Sequence, residues 1–76
     1  MNDEYQFVCT SPFSKFVAET LQNSEMFYGE NLSFYEKDFC VYVKGKKFSE
    51  IELNSLRMFA SGIYEGVKMF SKRSHK

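Results

Sequence analysis

The spacing of the apolar residues changes several times within only 76 residues, and these changes define the elements of the chain. Apolar and polar residues alternate over residues 5–10, 32–35 and 39–44, which is typical of strands with one buried face. After the first and the last of these runs, apolar residues recur at steps of three and four, the spacing of an amphipathic helix. The sequence therefore predicts the order strand, helix, strand, strand, helix.

The first predicted helix follows Ser11 and Pro12. A serine hydroxyl can cap a helix, and a proline at the first helical position loses no hydrogen bond that the helix needs. The apolar residues that follow make one stripe, and the helix ends at Asn23 and Ser24 because neither favours helical structure. The stripe consists of Phe13, Phe16, Val17 and Leu21.

The second predicted helix begins after Ser49, which we expect to cap it. Glu52 stands three residues on, the spacing of a capping box, and Phe48 before the cap can pack against Leu53 as a hydrophobic staple. A long apolar stripe then carries the helix to about Ser71. That stripe consists of Leu53, Leu56, Phe59, Ala60, Ile63, Val67 and Phe70.

Two connections are less regular than these elements. Residues 36–38 form a polar turn between the strands of a predicted hairpin, whose inner face carries Phe34, Val41 and Val43. Residues 26–29 allow two structures: a short edge strand that turns at Gly29, or a loop folded over the core.

Together the elements predict an α+β fold, a small two-layer domain in β-α-β-β-α order. An antiparallel hairpin and the N-terminal strand form the sheet, and two helices pack on one face of it. Residues 1–76 form a single domain with frayed tails at 1–4 and 72–76, because a chain this short cannot build two cores. We expect its nine phenylalanines and five tyrosines to make that one core dense.

Charge is balanced overall but not along the chain. The formal net charge is zero, with ten acidic and ten basic side chains, so the composition does not indicate a general polyanion binder. Residues 1–38 carry seven of the acids and two of the bases, and residues 39–76 carry the remainder. This asymmetry marks a polar partner surface if the two halves stay apart in the fold, and it cancels if they interleave.

The N-terminus and the cysteines indicate a cytoplasmic protein. The chain opens with Asp3 and Glu4 instead of the cationic and apolar stretches of a secretory signal. No apolar run approaches the roughly 20 residues that cross a bilayer, so we expect no membrane partner. Cys9 and Cys40 lie in apolar runs, which predicts two reduced, buried thiols; the alternative is a disulfide between them.

Residue types that carry catalysis are missing or poorly placed, so we expect a protein that is not an enzyme and uses no cofactor or metal. The one histidine, His75, stands next to the C-terminus, where it cannot be held for general acid–base catalysis. Two cysteines about thirty residues apart do not make a zinc site, and the scattered glycines do not form a phosphate loop. Glu36 and Asp38 fit a solvated turn, and Glu50 and Glu52 fit a helix N-terminus.

The outer face of the predicted hairpin is the first candidate site. Strand alternation turns Tyr35, Tyr42 and Lys44 away from the core, together with Cys40. With both helices on the inner face, nothing else in the chain covers these side chains. Tyrosines are enriched at the centres of protein interfaces, and tyrosines with lysines also bind single-stranded nucleic acids. Tyrosine is equally an ordinary residue of a half-exposed sheet.

Lysines cluster around the turn that follows the hairpin. Lys44, Lys46 and Lys47 surround a glycine, and the C-terminal tail holds three more bases. A turn and a tail that met in space would form one basic patch able to hold phosphates, whereas apart they are ordinary solvated segments. The bases of the tail are Lys72, Arg73 and Lys76.

Gly62 and Gly66 interrupt the second helix, and each costs about 1 kcal/mol relative to alanine. With Ser61 they make a notch of small residues that another backbone can approach closely. Either the first helix packs there or a second copy of the chain does, so both a monomer and a homodimer stay open. The flanking charges of Arg57 and Glu65 exclude a membrane-spanning dimer motif.

Many aromatic residues and no catalytic set in so short a chain favour a binding module. We expect a small protein-binding regulator or inhibitor that docks through the open sheet face, a strand edge or both, by analogy with small inhibitors encoded by phages and mobile elements. Its site comprises Tyr35, Tyr42, Lys44, Lys46 and Lys47. The alternative is a nucleic-acid-binding domain that uses the same residues, and a third hypothesis is a sensor with a small-ligand pocket between helix and sheet.

Overall fold

The structure, a computed structural model, describes residues 4–27 and 30–74. Three antiparallel strands form one sheet in the order β1-β3-β2, so the third strand in the chain is the central one. The strands are β1 (Gln6–Thr10), β2 (Ser33–Lys37) and β3 (Cys40–Lys44). The predicted sheet, an antiparallel hairpin joined by the N-terminal strand, is confirmed.

Two helices complete the fold, α1 (Ser14–Gln22) and α2 (Glu50–Ser74). Both contribute to one hydrophobic core together with the inward-facing residues of β1 and β3, so they lie on the same face of the sheet. The predicted small α+β domain in β-α-β-β-α order is therefore confirmed.

The hairpin of β2 and β3 has the predicted alternation. Phe34 pairs with Val43 on the inner face, and Tyr35 pairs with Tyr42 on the outer face. Val41 and Val43 are fully buried, and Phe34 packs against the core. The inner face of the hairpin therefore carries the residues expected there.

β1 departs from strict alternation. Phe7 pairs with Tyr42, but the next registered pair is Cys9 with Val41, which leaves Val8 as the extra residue of a bulge. Val8 is fully buried and Cys9 also packs against the core, so two successive side chains face inward. The regular alternation predicted for residues 5–10 is therefore wrong, because the bulge leaves Phe7 on the outer face and Cys9 on the inner face.

The hairpin turns at Asp38 and Phe39, slightly later than the predicted turn at residues 36–38. Both residues have positive φ, 53° and 66°, as in the two-residue turns that match the twist of a hairpin. Phe39 is 62% exposed and precedes β3. The prediction that Phe39 begins the strand is wrong, since the turn takes it out of the alternating pattern.

The segment between α1 and β2 is not a strand in its described part. Glu25–Phe27 form a short 3₁₀ helix, so the edge-strand alternative is wrong there. Phe27 packs against the core, and its ring centre lies 5.5 Å from that of Phe34, as expected for a segment folded over the core. The predicted turn at Gly29 lies outside the described residues.

α1 begins at Ser14, later than the pair Ser11–Pro12 predicted. The Ser11 hydroxyl accepts a hydrogen bond from the Phe13 N–H at 3.1 Å, and the Ser11 carbonyl accepts one from the Ser14 N–H at 3.1 Å. Ser11 therefore shapes the turn that leads into the helix. Phe16 is half exposed, so the predicted apolar stripe is only partly buried; the buried residues of α1 are Ser14, Val17, Ala18 and Leu21.

α2 begins with the predicted capping box. The Glu52 N–H donates to the Ser49 hydroxyl at 3.2 Å, and the Ser49 N–H donates to the Glu52 carboxylate at 2.9 Å. Phe48 and Leu53 are both buried in the core, as the staple predicts. The helix continues to Ser74, a few residues beyond the predicted end, and residues 1–3 and 75–76 of the predicted tails lie outside the described residues.

The core is mainly aliphatic and does not consist of the aromatic residues that the composition suggested. Among the residues that the structure describes, Phe48 is the one buried aromatic side chain. The aromatic residues therefore lie mostly at the edge of the core and on the surface. The buried hydrophobic residues are Val8, Val17, Ala18, Leu21, Leu32, Val41, Val43, Phe48, Leu53, Leu56 and Ala60.

Candidate protein interface

The outer side of the sheet carries a row of aromatic side chains, which we call the aromatic face. It consists of Tyr5, Phe7, Tyr35 and Tyr42 with the ammonium group of Lys44. Tyr5, Phe7 and Tyr35 are each 43–45% exposed, while Tyr42 on the central strand is partly buried between its neighbours. Because both helices pack on the inner side of the sheet, these rings are presented to solvent.

The rings contact one another across the three strands. Ring centres are 5.9 Å apart for Phe7 and Tyr42, 6.1 Å apart for Tyr35 and Tyr42, and 5.2 Å apart for Tyr5 and Tyr35. The Lys44 ammonium lies 5.2 Å from the centre of the Tyr5 ring, a cation–π contact. These contacts restrict the side chains of the aromatic face before any partner arrives. The face therefore loses little rotamer entropy when a partner binds.

The Tyr42 hydroxyl on this face holds its proton more tightly than a free tyrosine does. Desolvation raises the pKa of Tyr42, and the neighbouring Cys40 raises it further. The phenol is therefore neutral at physiological pH and can donate or accept a hydrogen bond. The face offers aromatic area and neutral hydroxyls, flanked by the cation of Lys44.

The structure separates the three lysines that the sequence grouped around the turn. Lys44 belongs to the aromatic face, and Lys47 is exposed. The Lys46 ammonium lies 3.2 Å from the Glu52 carboxylate and 3.9 Å from that of Glu30, so nearby acids offset its charge. Glu30 and Lys46 come from the acidic and basic halves of the chain, and here the halves interleave.

The lysine turn and the basic C-terminal residues do not form one patch. α2 starts beside the turn, where Lys46 pairs with Glu52, and then runs away from it. Residues 72 and 73 lie twenty or more positions further along α2, about 30 Å from Glu52 at 1.5 Å per residue. Lys76 lies outside the described residues.

A side chain of α2 occupies the free edge of β1. The Arg57 guanidinium donates from Nε to the Val8 carbonyl at 2.6 Å and from Nη2 to the Phe7 carbonyl at 3.3 Å. Arg57 also lies 3.9 Å from the Glu50 carboxylate. A strand pairing with this edge would have to displace the guanidinium.

Side chains of α1 occupy the edge of β2 in the same way. Gln22 donates to the Leu32 carbonyl at 3.1 Å and accepts from the Phe34 N–H at 2.8 Å. The Ser14 hydroxyl donates to the Glu36 carboxylate at 2.7 Å, so Glu36 is not the freely solvated turn residue that the sequence predicted. The sequence carries no periodic signal for these contacts, because each joins residues 10 or more positions apart that only the fold brings together.

Both cysteines are free thiols in the structure and only partly buried, so the prediction that both are buried is wrong. Burial raises the pKa of Cys9, although the charge of Arg57 opposes the shift. The Cys9 thiol is therefore protonated at neutral pH and a weak nucleophile. A cleft of about 270 Å³ beside Cys9, lined by Arg57 and Tyr64, is smaller than typical small-ligand sites.

The glycines of α2 face open space. Apart from the adjoining backbone of α2, a Cβ atom built on Gly62 or Gly66 would meet no atom of the described residues within 4 Å. The alternative in which α1 packs on the glycine notch is therefore wrong. The two glycines instead line an apolar groove of about 520 Å³ between Phe16 and Phe70.

Neither the described side chains nor similarity to known proteins assigns this chain to a class of protein. Among the described residues, no three His, Cys, Asp or Glu side chains gather as they would around a metal ion. None of the described helices combines the length and hydropathy of a bilayer-crossing segment. No protein-family model matches the chain, and neither does any curated protein or solved structure. The fold and the site therefore define a small α+β domain with an exposed aromatic sheet surface.

Proposed function

We propose that this chain is a small, non-enzymatic protein-binding regulator or inhibitor that docks its partner through the aromatic face. The observation that carries the proposal is a connected set of rings on the side of the sheet opposite the helices: the half-exposed Tyr5, Phe7 and Tyr35 around the partly buried Tyr42. Large aromatic anchors at the centre of a patch supply most of the binding energy in protein interfaces.

The aromatic face is a better docking surface than the strand edges. Arg57 occupies carbonyls of the β1 edge, and Gln22 occupies the Phe34 N–H of the β2 edge. Adding a strand at either edge would break these hydrogen bonds. The rings of the face need no such rearrangement before they contact a partner.

The arrangement of rings and charges favours a protein partner over a nucleic acid. Each ring of the face already contacts another ring at 5.2–6.1 Å, which makes one continuous surface and not a set of separate platforms for bases. Lys46, one of the lysines of the nucleic-acid alternative, is engaged with Glu30 and Glu52. Lys44 at the rim suits a partner with carboxylates around an apolar centre.

The test is affinity capture from a lysate of the source organism with the tagged chain, with and without nuclease. The double variant Tyr35→Ala, Tyr42→Ala removes the centre of the aromatic face. Phe39→Ala is the control, because Phe39 is an exposed aromatic residue of the hairpin turn that belongs neither to the aromatic face nor to the groove beside Gly62. We expect a protein to be retained after nuclease treatment by the wild type and by Phe39→Ala, and to be lost with the double variant.

The same experiment separates the alternatives. With the captured protein purified, the double variant should weaken binding at least about 30-fold, the loss of one interface anchor of about 2 kcal/mol. Nucleic acid that co-purifies, and is released by nuclease or by a moderate rise in salt, would favour the nucleic-acid-binding alternative. Equal capture by the wild type and the double variant would contradict the proposed docking face.

A further inference from the structure

α2 has a second apolar side that the fold of one chain does not use. Ile51, Met58 and Met69 are 79%, 76% and 62% exposed, although all three are large and apolar. They recur at steps of three and four with small residues between them, so they share one side of the helix. We call this side the outer stripe; it consists of Ile51, Ser55, Met58, Gly62, Gly66 and Met69.

The charges in the middle of α2 avoid the outer stripe. Arg57 is turned to the edge of β1, and the Lys68 ammonium lies 5.5 Å from the centre of the Tyr64 ring. Glu65 borders the stripe without belonging to it. A helix that is apolar both towards its own core and on an exposed side is suited to burying that second side against another helix.

We propose that two copies of the chain form a homodimer in which their α2 helices pack antiparallel through the outer stripe, about a twofold axis at Gly62. Reversing the stripe about Gly62 sets Met58 level with the partner's Gly66, and Met69 level with the partner's Ser55. Met58 and Met69 therefore each meet a small residue, while Ile51 lies at the end of the contact, level with the partner's position 73. The two Gly62 residues let the helix backbones approach closely.

Charge and shape favour the antiparallel arrangement over a parallel one. It sets the first turn of one α2, with Glu50 and Glu52, level with the last turn of the other, with Lys72 and Arg73. A parallel pair would set acids beside acids and bases beside bases, and would align the helix dipoles unfavourably. The antiparallel pair also lets the half of each α2 beyond the core lie along the body of its partner.

The exposed apolar area is close to what a stable dimer needs. The three large residues of the stripe, with Phe16 and Phe70 beside it at 50% and 72% exposure, present about 700 Å² per copy at roughly 200 Å² for each whole side chain. A standard interface buries about 800 Å² per partner. The groove between Phe16 and Phe70 gives the partner helix a place to pack. This inference concerns the helix layer and does not depend on the function proposed for the aromatic face.

The test measures the mass of the full chain by sedimentation equilibrium from micromolar to submillimolar concentration. We expect the mass to rise towards twice the 9.0 kDa of one chain. Gly62→Leu should weaken association at least about 10-fold while the monomer still folds. Beyond the adjoining backbone of α2, no atom of the described residues lies within 4 Å of the added Cβ, and leucine favours a helix. Ser61→Leu is the matched control, since it adds the same side chain outside the stripe, and it should leave the dimer intact.

A compensating pair tests the register. Met58→Ala and Gly66→Met should each weaken the dimer, because they pair small with small and large with large across the interface. Combined, they should restore association, since position 58 of one copy meets position 66 of the other only in the antiparallel arrangement. A wild-type chain that stays monomeric, equal effects of Gly62→Leu and Ser61→Leu, or no restoration by the combined variant would overturn the proposal.

Discussion

The carboxylate of Glu52 makes the first turn of α2 sensitive to acid. The hydrogen bond from the Ser49 N–H, and next the bond from Lys46, hold the pKa of Glu52 below its ordinary value of 4.5. The unfolded chain therefore takes up this proton first on acidification. The stabilisation of the folded state by the Glu52 carboxylate is present above the ordinary pKa of 4.5. It is lost as the pH falls through the lower pKa of the folded state.

Replacing this carboxyl with an amide isolates its charge. Glu52→Gln keeps an oxygen that can accept from the Ser49 N–H, but it cannot titrate. We expect the melting temperature of Glu52→Gln to fall less steeply than that of the wild type between about pH 5 and pH 3. Glu65→Gln, an acid of α2 outside the capping box, is the control. Parallel curves for the wild type and Glu52→Gln would contradict the assignment.

Phe39 and Gly45, which both have positive φ, show when a sequence pattern reveals backbone geometry and when it does not. Phe39 has a φ of 66° although a bulky side chain disfavours that region, and its ring is largely exposed. The alternation of apolar and polar residues places Phe39 in a strand, because such a pattern does not show which two residues make the turn. Gly45 is the simpler case: its φ of 117° and a Cβ position 2.3 Å from the Asn31 carbonyl oxygen admit only glycine, and the sequence did indicate a break there.

At the scale of elements, local signals predicted well and long-range contacts did not. Ser49 and Glu52 could be predicted because a capping box needs only residues three apart. The bulge at Val8 could not, because its cause is the register of β1 against β3, which lies more than thirty residues away. The sequence shows Arg57 only as a charge beside the glycines. Nothing near it in the sequence predicts its contact with the edge of β1.

Arg57 offers a direct test of how the sheet edge is closed. Arg57→Met keeps most of the apolar stem and removes the donors to the Val8 and Phe7 carbonyls. We expect the free energy of unfolding in urea to fall by about 1–3 kcal/mol, the cost of losing hydrogen bonds from a charged donor. Lys68→Met, the same loss of charge on α2 away from the edge, is the control. Equal losses in the two variants would argue against a role for the edge contacts.

At the scale of the whole molecule, one small core supports two exposed surfaces on opposite layers. The aromatic face could be predicted for the hairpin from alternation, but the bulge that adds Phe7 and the contact of Tyr5 with Tyr35 could not. Of the residues of the outer stripe, the sequence pattern indicated only Gly62 and Gly66 as a contact surface. Composition suggested that large apolar residues fill the core, whereas a single-layer sheet and two helices have too few inward positions for all of them.

Dimer formation should also appear as a link between protein concentration and thermal stability. Because association favours the folded state by mass action, the melting temperature of the wild type should rise with chain concentration. The melting temperature of Gly62→Leu should not, although the variant should melt higher than the wild type at the lowest concentration because leucine favours the helix. Differential scanning calorimetry over a hundredfold dilution measures both effects. A wild-type melting temperature that is independent of concentration would contradict the dimer.

The contact of Arg57 with β1 has a consequence for the order of events during synthesis. β1 is made near the start of the chain, while the guanidinium that occupies its outer carbonyls is made 49 residues later. Until then a nascent chain has a bare strand border, the kind of surface to which a neighbouring polypeptide can add. Pairing of the β1 edge with a neighbouring polypeptide is therefore a risk only during synthesis. The risk ends when α2 has left the ribosome and Arg57 has folded back onto β1.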